Sequence, residues 1–137
     1  MATESLLISV VLINSVALAY NKIPDCFMDV ASGIRSKCQE ETGVDLAVVD
    51  RMMDGEFSAE KSVSCYLGCI LNSFGVYKPD GYIDYDRLLL GFSDDLKPAY
   101  KAMYDICKEY KGEDMCETAL ISNKCYYNYN KDIYFVL

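Results

Sequence analysis

The chain has no histidine and no tryptophan, only three prolines, and an excess of acids over bases that gives a net charge of −8. Each shortage closes something. Without imidazole, Ser-His, Cys-His and His-Asp hydrolytic centres cannot be assembled, and the usual zinc ligand is missing. A small secreted phospholipase, which needs a histidine base, is excluded with them. No basic cluster interrupts the acidic surface, so a phosphate backbone is repelled and nucleic acid is not an expected partner. No N-x-Ser/Thr sequon occurs. Beyond the first nineteen residues nothing is apolar enough for the roughly 20-residue span that crosses a bilayer, so membrane insertion is not expected.

Those first residues, MATESLLISVVLINSVALA, carry an apolar run from Leu6 that ends in Ala17-Leu18-Ala19. The small-x-small ending suits a signal peptidase, although Glu4 stands where a basic residue is usual. Residues 1–19 are therefore expected to be a secretory signal, with residues 20–137 forming one secreted, extracellular domain. A chain of that length buries roughly 60–70% of the surface its unfolded form exposes.

Seven cysteines are present: Cys26, Cys38, Cys65, Cys69, Cys107, Cys116 and Cys125. In a secreted chain that density reads as a disulfide framework. A four-thiolate zinc site is the rival, but no C-x-x-C knuckle occurs. A redox pair is normally C-x-x-C at a helix start, not C-x-x-x-C within an apolar segment such as SVSCYLGCILNSFG. Cys65 and Cys69 lie one turn apart on one helix face, with side chains running nearly parallel. Closing one onto the other would distort the helix, so each is placed to reach a different neighbour.

The apolar periods are helical throughout, and six helices are expected. Phe27, Val30, Ile34 and Cys38 recur at three- and four-residue steps after Pro24 and Asp25. Asp45 is a candidate N-cap for a short helix through Met52 and Met53 that Gly55 stops. Ser58 is the candidate cap of the central helix, which ends at Gly75. Lys78-Pro79-Asp80-Gly81 is a turn, and Asp84 caps a helix through Leu88, Leu89 and Leu90. Leu96, Tyr100, Met103, Cys107 and Tyr110 mark a long stripe ended by Gly112. A last helix is expected from about Asp114 to Cys125. The run DGYIDYD has acids near a glycine, but not at the positions of a calcium loop, and reads as a turn before an acid-capped helix. No metal site and no cofactor are expected, and acid pairs such as Asp84/Asp86 belong to caps and first turns rather than to catalysis.

From Cys38 onward the cysteines follow C-x26-C-x3-C-x37-C-x8-C-x8-C. This spacing resembles the six-cysteine insect odorant-binding proteins, the family that includes pheromone-binding proteins. QEETGV after Cys38 is similar to the family's acidic-Thr-Gly stretch, and CYLGCILNSFGVYKPDGYIDYDRLL looks like its third helix, Asp-Gly turn and fourth helix. The resemblance covers essentially all of residues 20–137. It implies an all-α, compact, six-helix disulfide-linked domain with an internal apolar pocket. It also implies the pairs Cys38–Cys69, Cys65–Cys116 and Cys107–Cys125, with Cys26 left unpaired, most simply as a buried thiol.

The function implied is a non-enzymatic, secreted carrier of a small apolar ligand, an odorant or pheromone, with a membrane odorant receptor as a further partner and a monomer or weak homodimer as its state. The alternative is a scavenger or interaction protein of the same fold. Leu67, Leu71 and Phe74 of the central helix are the expected pocket residues, on a stripe rotated away from the two cysteines, with ordinary core packing as the competing role. Leu89, Tyr104, Leu120 and Tyr126 are their expected companions. The twelve tyrosines suit an alcohol, aldehyde or ester. The apolar tail, residues 126–137, is expected to fold back as a pocket wall or lid, with Phe135 reaching inside. With no histidine, any acid release rests on Asp132 and the C-terminal carboxylate.

Overall fold

In the computed structural model, residues 22–137 are described; the expected signal, residues 1–19, lies outside them. A 3-10 turn, Asp25–Phe27, leads into α1, Met28–Thr42. It is followed by α2, Leu46–Arg51, and a second 3-10 turn, Met52–Asp54; by α3, Lys61–Ser73; α4, Tyr85–Leu89; α5, Lys97–Cys107; and α6, Met115–Tyr129. The only β pairing among the described residues is an isolated antiparallel bridge between Tyr77 and Ile83.

Helix starts follow local chemistry where an aspartate stands at the boundary. Asp45 accepts from Ala47 N at 2.9 Å, Asp84 from Arg87 N at 3.1 Å and Asp114 from Glu117 N at 2.8 Å. Each such cap stabilises by about 1 kcal/mol. At α6 a second bond joins the cap, because the Glu117 carboxylate accepts from Glu113 N at 3.1 Å. Two of the three acids of DGYIDYD are likewise occupied: Asp80 accepts from Tyr82 N and Asp84 caps α4. Gly81, at φ +87°, closes the Lys78–Gly81 turn.

Several expected boundaries move. Ser58 does not cap α3: its hydroxyl accepts from Glu60 N, two residues on, in a local turn that precedes the helix. Val30 is 43% exposed, and Ala31 takes the inward position instead. α5 ends at Cys107, before Gly112, and leaves Tyr110 outside the helix and exposed. α6 runs one turn past Cys125, to Tyr129. Cys26 is free but exposed, not buried.

α3 is the hub, packed chiefly on α6 and on α1. It is the most apolar of the helices and buries Val63, Tyr66, Leu67, Ile70 and Leu71. Gly68 lets α6 approach: a Cβ there would lie 3.3 Å from Met115 O and 3.4 Å from Cys116 Cα. Three disulfides fix the hub and its neighbours. Cys38–Cys69 ties α1 to α3, Cys65–Cys116 ties α3 to the start of α6, and Cys107–Cys125 ties the end of α5 to α6. Cys65 and Cys69 thus rivet one helix to two others.

After α6 the chain turns at Lys131–Ile133 and runs back into the core. Tyr134, Val136 and Leu137 are buried and Phe135 is half-buried against the core. No backbone–backbone hydrogen bond among the described residues holds positions 134–137. Tyrosine hydroxyls of the body and of the tail anchor them instead. Tyr100 OH donates to Ile133 O at 2.7 Å and Tyr66 OH to Leu137 O at 2.6 Å, while the tail's Tyr134 OH donates to Asn123 Oδ1 at 2.9 Å.

Candidate functional site

The largely apolar cavity inside this frame has a volume of about 70 Å³. α3 contributes Leu67, Ile70 and Leu71, followed by Phe74 at its C-cap. The opposite wall comes from α5 through Tyr100, Met103 and Tyr104, and from α6 through Asn123 and Tyr126. The tail closes it with Tyr134 to Leu137. Of the expected pocket residues, Leu67, Leu71, Phe74, Tyr104, Tyr126 and Phe135 are brought together here.

Leu89 and Leu120 stand outside this wall, half-buried against the core. On α4 the inward residue is Leu88, which continues the Tyr85–Leu88–Phe92 spacing of three and four residues, a stripe visible in the sequence. On α6 the inward stripe is Ala119, Ser122, Asn123 and Tyr126, so hydropathy points away from the face that is buried.

Phe27, Phe92, Tyr100 and Tyr134 are the aromatic residues of the cavity wall that the sequence did not point to. Four of the chain's five phenylalanines meet there. The Phe27 ring lies 5.7 Å from Phe74, 4.8 Å from Phe92 and 5.6 Å from Phe135, centroid to centroid. Phe92 also stacks on Tyr100 at 4.2 Å. Edge-to-face and offset pairs at these separations stabilise beyond area burial, by roughly 0.5–1.5 kcal/mol each.

The other end of the cavity is phenolic. Tyr85 stacks on Tyr104 at 4.8 Å, Tyr104 meets Tyr126 edge-on at 5.2 Å, and the Tyr85 and Tyr126 hydroxyls share a 2.6 Å hydrogen bond. Burial raises the pKa of all three phenols, most strongly for Tyr104 and Tyr126. Burial, aided by the nearby Cys26 thiol, pushes Tyr100 up to about 12, and burial also raises Tyr77 and Tyr134.

These phenols stay protonated at any physiological pH, with a consequence for alkaline stability. Unfolded tyrosine ionises near pH 10. Above that value the unfolded chain releases protons that the native state retains, so stability falls as pH rises. The contribution is complete below about pH 10 and is lost through about pH 12, the value for Tyr100. Thermal midpoints are expected to fall steeply above about pH 10, with the phenolate absorbance of these groups rising only as the fold is lost. Ionisation of Tyr104 or Tyr126 in a chain that still unfolds cooperatively would contradict their burial.

No side chain in the cavity wall is a carboxylate, and Asp132 is exposed and makes no ion pair among the described residues. Nor do the described residues gather three His, Cys, Asp or Glu side chains into a metal-binding group. What the arrangement can do is enclose a small apolar molecule and offer it hydroxyl protons at one end. No helix of the described residues is long and apolar enough to cross a membrane.

A helical domain clamped by three disulfides around an apolar cavity defines a class of ligand-holding proteins, and comparison with known proteins agrees. The model of the PBP/GOBP family matches residues 22–129. General odorant-binding protein 72 of Anopheles gambiae is 30% identical over 111 residues, covering 77% of this chain and 91% of that protein. Among solved structures, odorant-binding protein 7 of Anopheles gambiae, with four disulfide bridges and in complex with an azo compound, has a TM-score of 0.72 at 29% identity, over 84% of this chain and 98% of that one. Odorant-binding protein 4 of Chrysopa pallens has a TM-score of 0.73 at 26% identity, over 84% and 99% of the two chains. The chain belongs to the PBP/GOBP family, the odorant-binding proteins. With seven cysteines it cannot form the four bridges of the Anopheles protein.

Proposed function

We propose that this protein is a secreted, non-enzymatic carrier that takes up a small, mainly apolar molecule in the α3–α5–α6 cavity and transports it through aqueous fluid. The observation that carries the reading is an apolar cavity walled on one side by a folded-back tail whose last four residues make no backbone–backbone hydrogen bond among the described residues. The complex of the related Anopheles protein with an azo compound supports an apolar, aromatic-compatible ligand.

At about 70 Å³ the cavity would hold roughly two waters at ~30 Å³ each, well short of the roughly 300 Å³ at which ligand pockets begin. Uptake therefore requires a wall to move. Helices α1, α3, α5 and α6 are cross-linked; the tail is held by hydroxyls and by its own side chains. Phe135, with its ring on Phe27 and Tyr100, is the residue whose departure enlarges the cavity most directly. A ligand that removes about 300–400 Å² of apolar surface from water gains roughly 8–10 kcal/mol gross. Lost rigid-body freedom and displacement of the wall offset much of this, which leaves micromolar binding. Titration with an apolar fluorescent probe, followed by displacement, is expected to show one saturable micromolar site. An absence of saturable binding would overturn the carrier reading.

A further inference from the structure

Two hollows meet at one side chain. The apolar cavity of about 70 Å³ lies inside the helices, and a polar groove of about 260 Å³ opens between α4 and α5. In the groove, the stretch from Lys78 to Asp86 faces Tyr104, Asp105 and Lys108. Among the described residues, Tyr104 alone lines both hollows. Its ring stacks at 4.8 Å on Tyr85, which belongs to the groove. It meets Tyr126, which belongs to the cavity, edge-on at 5.2 Å. One aromatic ring thus stands between the groove and the cavity.

That ring is held differently from its neighbours. Of the four tyrosines in the cavity wall, Tyr100 donates to Ile133 O, Tyr134 to Asn123 Oδ1, and Tyr126 shares a hydrogen bond with Tyr85. Tyr104 makes no hydrogen bond among the described residues; ring contacts position it. Ring contacts have broad optima, whereas a hydrogen bond weakens steeply off its angle. The helix across the groove is also the least restrained: no disulfide ends on α4, while α1, α3, α5 and α6 are all cross-linked. Lifting the tail instead would break three tyrosine hydrogen bonds and expose Tyr134, Val136 and Leu137. Turning Tyr104 aside breaks none among the described residues.

We propose that the α4–α5 groove is the mouth of the cavity and that Tyr104 is its gate, turning toward α4 to admit a ligand and returning to seal it. The proposal rests on the carrier reading and specifies the route of entry. Phe135 supplies the room and Tyr104 the passage, so the two roles fall to different side chains. The charged rim keeps the groove hydrated, and an apolar ligand therefore comes to rest inside and not in the mouth.

The test follows uptake and release of the fluorescent probe N-phenyl-1-naphthylamine by stopped flow, on the wild type, Tyr104→Ala and Lys108→Trp. A gate that stands open about a tenth of the time slows passage about tenfold. Tyr104→Ala is therefore expected to raise the association and dissociation rates together, each by about tenfold. Lys108 is exposed on the groove rim, so tryptophan there narrows the mouth without touching the cavity wall. In Lys108→Trp both rates are expected to fall while the dissociation constant stays unchanged, because only the route has altered. Melting curves check that each variant folds; if Tyr104→Ala does not, Lys108→Trp alone decides. Rates equal to those of the wild type in either folded variant overturn the gate while the carrier reading stands. If the wild type does not bind the probe, the carrier reading fails and this proposal with it.

Discussion

Ending the chain at Asp132 is expected to lower the thermal midpoint by about 10–20 °C and to leave a protein that binds hydrophobic dyes in its unliganded state. The argument is one of burial. Tyr134, Val136 and Leu137 are 1%, 4% and 2% exposed, and Phe135 packs among Phe27, Phe92 and Tyr100. Side chains of this kind stabilise by about 1.5–3 kcal/mol each when buried. Tyr66 and Asn123 also each lose a hydrogen bond to the tail. Against this, a truncated chain no longer orders its last residues, which costs the intact protein about 1–2 kcal/mol per residue. The net loss is on the order of 3–5 kcal/mol, and each kcal/mol is worth several degrees in a domain of this size. The tail is thus part of the core as well as a wall of the cavity, so truncation does not test its role as a lid. Phe135→Ala is the cleaner probe, because it removes one half-buried ring and keeps the three tyrosine anchors. A midpoint unchanged by truncation would show that the tail only drapes the surface.

What the sequence made legible was what local chemistry decides. Asp45, Asp84 and Asp114 cap their helices because a short carboxylate next to a free N–H needs no tertiary help. Ser58 offered the same chemistry but spends it on a turn one step earlier, since the chain stays extended to Glu60. Core positions were legible where an apolar stripe faces inward, as on α3. They were not legible on α6, which presents Ser122 and Asn123 to the interior because the tail and the phenols supply polar partners there. Tertiary context also decided Cys26. A lone thiol reads as buried by residue type, but the 3-10 turn points Phe27 inward and leaves its neighbour outside. The phenylalanine cluster draws on the first turn, α3's end, the loop after α4 and the tail, and no sequence period connects such distant positions.

Replacing both Cys65 and Cys116 by serine is the substitution expected to cost most among the three bridges. The bridge spans 51 residues, against 31 for Cys38–Cys69 and 18 for Cys107–Cys125. In the loop-entropy model that span stabilises by about 4 kcal/mol, compared with about 3 kcal/mol for the shortest bridge. The closed loop contains α4 and α5, so the bridge restrains two helices it does not touch. Location reinforces length. Cys116 lies where α6 comes closest to α3, over Gly68, and this is the most extensive helix contact in the fold. Serine is suitable at both positions because neither is fully buried, so the new hydroxyls can be hydrated. Cys38 and Cys107 are wholly buried and need alanine. Both partners must be changed together, because an orphaned thiol could exchange with the exposed Cys26. Denaturant unfolding of the Cys65→Ser/Cys116→Ser variant is expected to show a midpoint well below that of a Cys107→Ala/Cys125→Ala variant. Since α3 and α6 both line the cavity, its probe affinity is expected to weaken as well. If the shorter bridge proves the costlier to lose, stability is set by the α5–α6 corner and not by the α3–α6 hub.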